Sequence, residues 1–152
     1  FRTTSMKIYI DTSCLKRPFD SQAQANIRLE TEAVLIIFKG VESGRFQWYG
    51  SEVLHYENRN NPNPERRKRA EAILDLCHFV VELAETTEAR GATLARHRIP
   101  ALDALHLASA EEALVDAFLT CDEGLIRRLR KSPSICRLSV QNPVDFLKEM
   151  NP

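Results

Sequence analysis

From Met6 onward, short runs rich in β-branched and aromatic residues alternate with longer stretches whose apolar residues recur at helical spacing. This alternation limits the chain more than any other feature. Met6-Lys7-Ile8-Tyr9-Ile10 is the first β-rich run, and Asp11-Thr12-Ser13 ends it with side chains that favour turns and caps. Beyond the breaker Pro18, Asp20 or Ser21 is placed to cap one long helix over residues 22–42, with Ile27, Leu29, Ala33, Ile36 and Ile37 in helical register until Gly44. Phe46-Gln47-Trp48-Tyr49-Gly50 has strand composition, and Ser51 opens a short helix that carries Glu57. Asn63-Pro64-Glu65 starts another helix, followed by a β-rich run over residues 79–83 and a helix over residues 86–96. Ile99-Pro100 breaks the chain before a helix over residues 101–114, then come a strand over 117–120, a helix over 123–131, a strand over 136–140 and a short helix from Pro143. Strands that alternate with helices predict a three-layer α/β fold, in which right-handed crossovers cover both faces of a central parallel sheet.

At 152 residues the length suits one domain of ~150 residues, and no internal repeat or low-complexity linker divides it. Residues 1–5, ahead of Met6, read as an expression scar, leaving 6–150 as a single domain. Lys plus Arg (21) equals Asp plus Glu (21), so no net basic field attracts nucleic acid or membrane, and a nucleic-acid partner must be held by a local patch. No apolar run reaches the ~18 residues of a membrane span and no secretory signal is present, so a soluble, cytoplasmic protein is expected. Cys14, Cys77, Cys121 and Cys136 show no C-x-x-C spacing and read as reduced thiols.

In an open parallel sheet, ligands bind beyond the carboxyl ends of the strands. Asp11 follows the first strand, Glu57 lies on the helix after the second, and Asp122 follows the strand at 117–120, while Asp103 sits in the opening turn of the preceding helix. Taken singly, each acid is a helix cap or dipole partner. Together, carboxylates at one edge raise each other's pKa unless a cation lies among them, and oxygen-only ligation suits Mg²⁺ or Mn²⁺. Such a site fits metal-assisted phosphodiester hydrolysis.

Lys7-Ile8-Tyr9-Ile10-Asp11-Thr12-Ser13, Ser51-Glu52-Val53-Leu54-His55-Tyr56-Glu57, Asp103-Ala104-Leu105-His106-Leu107-Ala108-Ser109-Ala110 and Phe118-Leu119-Thr120-Cys121-Asp122 follow one another along the chain. In this order they resemble the four acidic blocks of PIN-domain ribonucleases, most closely the VapC-like toxins of prokaryotic toxin–antitoxin pairs. The resemblance implies a metal-dependent endoribonuclease with Asp11, Glu57, Asp103 and Asp122 as the catalytic carboxylates, of which Asp11, Asp103 and Asp122 hold the metal. Glu52, on the same short helix as Glu57, competes for its role, and Glu123 follows Asp122 where many relatives place a further acid. The resemblance also implies an RNA substrate, an antitoxin partner and a homodimer. Its alternative is a catalytically silent PIN-like module that binds RNA or protein.

Ser13 and Thr120 are accessory candidates through their hydroxyls, against a bland reading as turn residues. His106 shares a helix face with Asp103 and reads first as a packed core histidine, then as a partner of the acids, then as a metal ligand. Lys16, Arg17, Arg127 and Arg128 lie close to the acidic edge and are candidates for phosphate contacts. Arg66-Arg67-Lys68-Arg69 reads as a solvated helix face, with Arg67 reaching Glu71, and Trp48 and Tyr49 as core. A phosphoryl-transfer domain of the haloacid-dehalogenase or receiver type also places an Asp after strand one. Asp11-Thr12-Ser13 lacks its second Asp, and no Ser, His and Asp set has nucleophile-elbow context.

Overall fold

The computed structural model describes residues 5–150, so residues 1–4 of the expected scar lie outside the described residues. Five parallel strands run β1 (Met6–Ile10), β2 (Phe46–Ser51), β3 (Phe79–Val81), β4 (Ala117–Leu119) and β5 (Val140–Gln141). Their spatial order is β3-β2-β1-β4-β5, with Ile8 of β1 opposite both Trp48 of β2 and Ala117 of β4. Because β1 is central, its residues Ile8, Tyr9 and Ile10 are buried on both faces, which explains the unbroken apolar run. Edge strand β3 leaves Phe79 51% and Val80 50% exposed.

The helices are α1 (Thr12–Lys16), α2 (Ala25–Glu42), α3 (Glu52–Arg59), α4 (Pro64–Leu74), α5 (Glu85–Ala95), α6 (Ala101–Ala113), α7 (Glu123–Lys131) and α8 (Pro143–Met150). They cover the two sheet faces of the expected three-layer fold. On one face α2 packs on α8 and β2, where Trp48 stacks on Phe38 and Phe46 meets Phe146. On the other face α6 packs against α5 and onto β2 and β3, and Tyr9 lies parallel to Phe118 at 5.2 Å. Gly91 permits the α5–α6 approach, since a Cβ there would stand 2.8 Å from Leu105 Cδ2.

Local chemistry changes three boundaries. The expected turn after β1 is the helix α1, because Asp11 caps it, and a 3₁₀ turn over Arg17–Phe19 follows. Neither Asp20 nor Ser21 caps the long helix: Asp20 pairs with Arg17 at 2.9 Å, and α2 begins at Ala25 after Gln24, without a side-chain cap. The last strand shrinks to Val140–Gln141, since only these residues pair with β4. In α4 the ion pair is Arg69 to Glu65 at 2.8 Å, and Arg67 donates instead to the Asn61 carbonyl. Trp48 is fully buried, and no cysteine is disulfide-bonded among the described residues.

Candidate active site

The chain order of the strands reverses at β1, which has β2 on one side and β4 on the other, and this reversal opens a crevice at their carboxyl ends. Asp11 leaves β1 at that point and caps α1, its Oδ1 accepting from Ser13 Oγ–H (2.5 Å) and Cys14 N–H (3.3 Å). Asp122 follows β4 and caps α7, its Oδ1 accepting from Leu125 N–H at 3.1 Å. Asp103 projects from the first turn of α6, and Glu57 comes from α3, whose own cap is Ser51. These four carboxylates, from four separate segments, line one cleft of ≈ 270 Å³.

Burial and the neighbouring Asp11 and Asp122 push the Asp103 carboxyl from 3.8 up to about 6, with Glu57 adding to the rise and His106 opposing it. Asp11 is also raised by burial, against which the Ser13 hydroxyl favours the ion. Burial works in the same direction on Glu57, but contact with His106 outweighs it and holds that carboxyl below its ordinary value.

His106 is buried, as its apolar neighbours in the sequence suggest, yet its ring reaches the cleft. Its Nε2 is hydrogen-bonded to Glu57 Oε1, and its Nδ1 lies 2.6 Å from the Tyr9 hydroxyl, which in turn lies 2.6 Å from Ser51 Oγ. A carboxylate only accepts, so Nε2 carries the proton. With a neutral ring, Nδ1 accepts from Tyr9 O–H and the Tyr9 oxygen accepts from Ser51 O–H, while Ser51 Oγ accepts Leu54 N–H at 3.2 Å. Every group is then satisfied. His106 is therefore a positioning residue for Glu57, and Tyr9 and Ser51 extend its support; neither of these two stood out in the sequence beyond a core aromatic and a cap.

The accessory residues divide. Ser13 lines the cleft, and its oxygen also accepts Cys121 N–H at 2.9 Å, which ties α1 to the loop after β4. Thr120 is fully buried and bonds Ser13 Oγ and Asp122 N–H, so it braces that loop. Glu123 points its carboxylate at Asn142 Nδ2 (3.3 Å) and does not line the cleft. Glu52 is likewise outside it.

Among the cations, Lys16 is exposed at the cleft, whereas Arg17 lines it with its guanidinium fixed by Asp20 (2.9 Å) and the buried Glu30 (2.8 Å). Arg128 lies with Arg98 in a recess that shares Asp103 and Asp122 with the cleft, and Arg127 and Lys131 continue outward from it. Arg98 was not singled out by sequence reasoning. Its only sequence signal is a basic residue just before Ile99-Pro100.

Among the described residues, no three or more His, Cys, Asp and Glu side chains are gathered closely enough to hold a metal ion as they stand. The donor set nonetheless suits a hard divalent cation: all four acids offer oxygen, and Asp11 and Asp122 each use only Oδ1 within the fold among the described residues. The crowding that raises Asp103 is the electrostatic demand that such a cation would relieve.

A parallel α/β fold with a carboxylate cleft at its switch point defines the class of this protein. The sequence matches the PIN domain family over residues 8–131, and the chain belongs to that family. A chain in the crystal structure of VapBC2 from Rickettsia felis bound to a DNA fragment from their promoter has the same fold, with a TM-score of 0.55 at 11% identity, covering 90% of this chain and 98% of that one. No curated protein matches the sequence.

Proposed function

We propose that the protein is a divalent-metal-dependent endoribonuclease that hydrolyses RNA phosphodiester bonds. The observation that carries this reading is the lining of one cleft by Asp11, Glu57, Asp103 and Asp122. Asp11, Asp103 and Asp122 would hold Mg²⁺ or Mn²⁺, with water completing the coordination. When bound, such an ion supplies positive charge to the phosphate oxygens and acidifies water for in-line attack. The protein's own groups do the rest. His106 keeps Glu57 ionised and oriented toward the cleft, and Ser13 holds the Asp11 carboxylate against the loop after β4. Lys16 on one side, and Arg98 and Arg128 on the other, attract the backbone phosphates that flank the cut, with Arg127 further along. Arg17, already paired twice, acts more on the position of the first loop than as a free phosphate clamp.

Family membership supports nuclease chemistry, and the VapBC2 likeness supports a toxin role with an antitoxin partner. Such a partner inhibits by placing an Arg or Lys among the carboxylates or by covering the acidic edge, since a guanidinium replaces the charge of a cation without activating water. A homodimer and a cytoplasmic setting are the expected context. No helix of the described residues is long and apolar enough to cross a membrane.

The test is cleavage of RNA by the purified protein with Mg²⁺ or Mn²⁺ and with excess EDTA. Cleavage that needs the ion is expected. Undiminished cleavage in EDTA refutes the metal mechanism, and measured Mn²⁺ binding without any cleavage favours the silent binding module.

A further inference from the structure

A second recess, of ≈ 150 Å³, opens beside the carboxylate cleft and shares Thr12, Lys16 and Glu57 with it. It is smaller than the ~300–1,000 Å³ of a site for a whole small ligand, so it suits one ring system of a larger molecule that continues elsewhere. We infer that this recess is a nucleobase subsite, which receives the base adjoining the phosphate at the cleft and selects bases with an exocyclic amino group over uracil. The inference rests on the RNA-cleavage reading above and adds to it the origin of sequence preference.

Three features of the wall support this. Phe19 contributes an aromatic surface and carries the Arg69 guanidinium 5.9 Å from its ring centroid, while Arg66 donates to its carbonyl at 2.8 Å, so the ring is held by α4. Aromatic surfaces take unstacked bases of single-stranded RNA. Asn58 is only 8% exposed, and its Nδ2 donates to the Arg67 carbonyl at 3.0 Å, which fixes the amide plane and leaves Oδ1 without a partner among the described residues. The Thr12 hydroxyl oxygen, at the junction of cleft and recess, is buried and also makes no hydrogen bond among the described residues. Thr12 Oγ1 is buried without a partner among the described residues and Asn58 Oδ1 is open to solvent, so a ligand that donates to them satisfies the first and replaces water at the second. The amino groups of adenine, cytosine and guanine are such donors, whereas uracil has a carbonyl oxygen where cytosine has its amino group and keeps only N3–H as an edge donor.

The recess also faces the correct neighbour. A strand whose phosphate lies over Asp11 and Glu57 has Lys16 beside that phosphate and the recess one step further, while Arg98 and Arg128 border the cleft on the Asp103 and Asp122 side. A base on one side and phosphates on the other give the strand a defined register.

Two measurements test this on the full chain. In the first, a randomised single-stranded RNA pool is cut in Mn²⁺ and the ends are sequenced. In the second, short RNAs that vary at one position are bound in EDTA, where metal-dependent cutting is absent. Amino-bearing bases at one position next to the cut are expected to be favoured over uracil about tenfold, in cutting and in binding. Asn58→Leu and Phe19→Leu should each flatten that preference. Base-selective binding without any cutting would refute the nuclease reading and leave the subsite standing. Equal use of all four bases in both assays overturns the subsite. A preference unchanged in both variants overturns it as well.

Discussion

Asp103→Asn separates a metal-holding carboxylate from a structural one. The rise of the Asp103 carboxyl from 3.8 to about 6 corresponds to about 3 kcal/mol against its ionised form at ~1.4 kcal/mol per pH unit. Partial exposure screens this, so ~1 kcal/mol is a realistic size. A carboxyl whose folded pKa is raised binds its proton more tightly in the folded state. Its penalty is therefore absent below 3.8, grows as pH rises through about 6 and is complete above it. Asparagine removes that penalty but also gives up the attraction of a negative charge for the start of α6, roughly 0.3–1 kcal/mol. At pH 8 without metal, the Tm of the variant should equal that of the parent or exceed it by up to ~3 °C, given ~2–4 °C per kcal/mol for a chain of this size. Mn²⁺ at about 100 times its Kd should stabilise the parent by ~2.7 kcal/mol, and the variant far less, because under the proposed function it lacks one of three carboxylates that would hold the ion. RNA cleavage should be lost. A collapsed metal-free Tm would make Asp103 structural, and an equal Mn²⁺ response in both proteins would remove it from the metal site.

Other perturbations follow from the same contacts. Tyr9→Phe leaves Ser51 and His106 Nδ1 without their buried partner and should cost ~1–3 kcal/mol, read as a Tm lower by several degrees; an unchanged Tm would refute the hydrogen-bonded chain. Glu57→Gln should destabilise the metal-free protein at neutral pH, because the folded pKa of Glu57 is depressed; the difference should hold above 4.5 and vanish as pH falls through the folded pKa in pH-dependent melts. Gly44→Ala forces φ +83° on a residue with a Cβ where α2 ends and should cost ~1 kcal/mol with no effect on metal binding. A Tm equal to the parent's would show that the turn relaxes.

Much of the fold was legible because its signals are local. Burial of β1 on both sides demands an unbroken apolar run, α4 announces itself through Asn63-Pro64, and Asp11, Ser51 and Asp122 cap helices because their short side chains reach the next N–H groups. Three of the acids were legible as a set, since Asp11 and Asp122 stand at the carboxyl ends of strands and Asp103 at the start of a helix, whereas Glu57, late in α3, was marked only by its motif. Helix α1 was missed because a single turn of helix after a strand has no periodicity to show.

What the tertiary structure alone decided is who faces whom across long separations. His106 meets Glu57 over 49 residues and Tyr9 over 97, so neither bond has a trace in the spacing of the sequence. Arg17, which sequence proximity to Asp11 placed near phosphate, is drawn into ion pairs by Asp20, three residues on, and by Glu30, which the packing of α2 brings to it. Glu123 has the neighbour of a site residue and the contacts of a brace, because the first turn of α7 directs it to Asn142. The recess beside the cleft exists only where α1, α3 and α4 meet. Local sequence determines the conformation of a segment through propensities and caps, but the direction in which a polar side chain is satisfied depends on the partner that packing delivers to it.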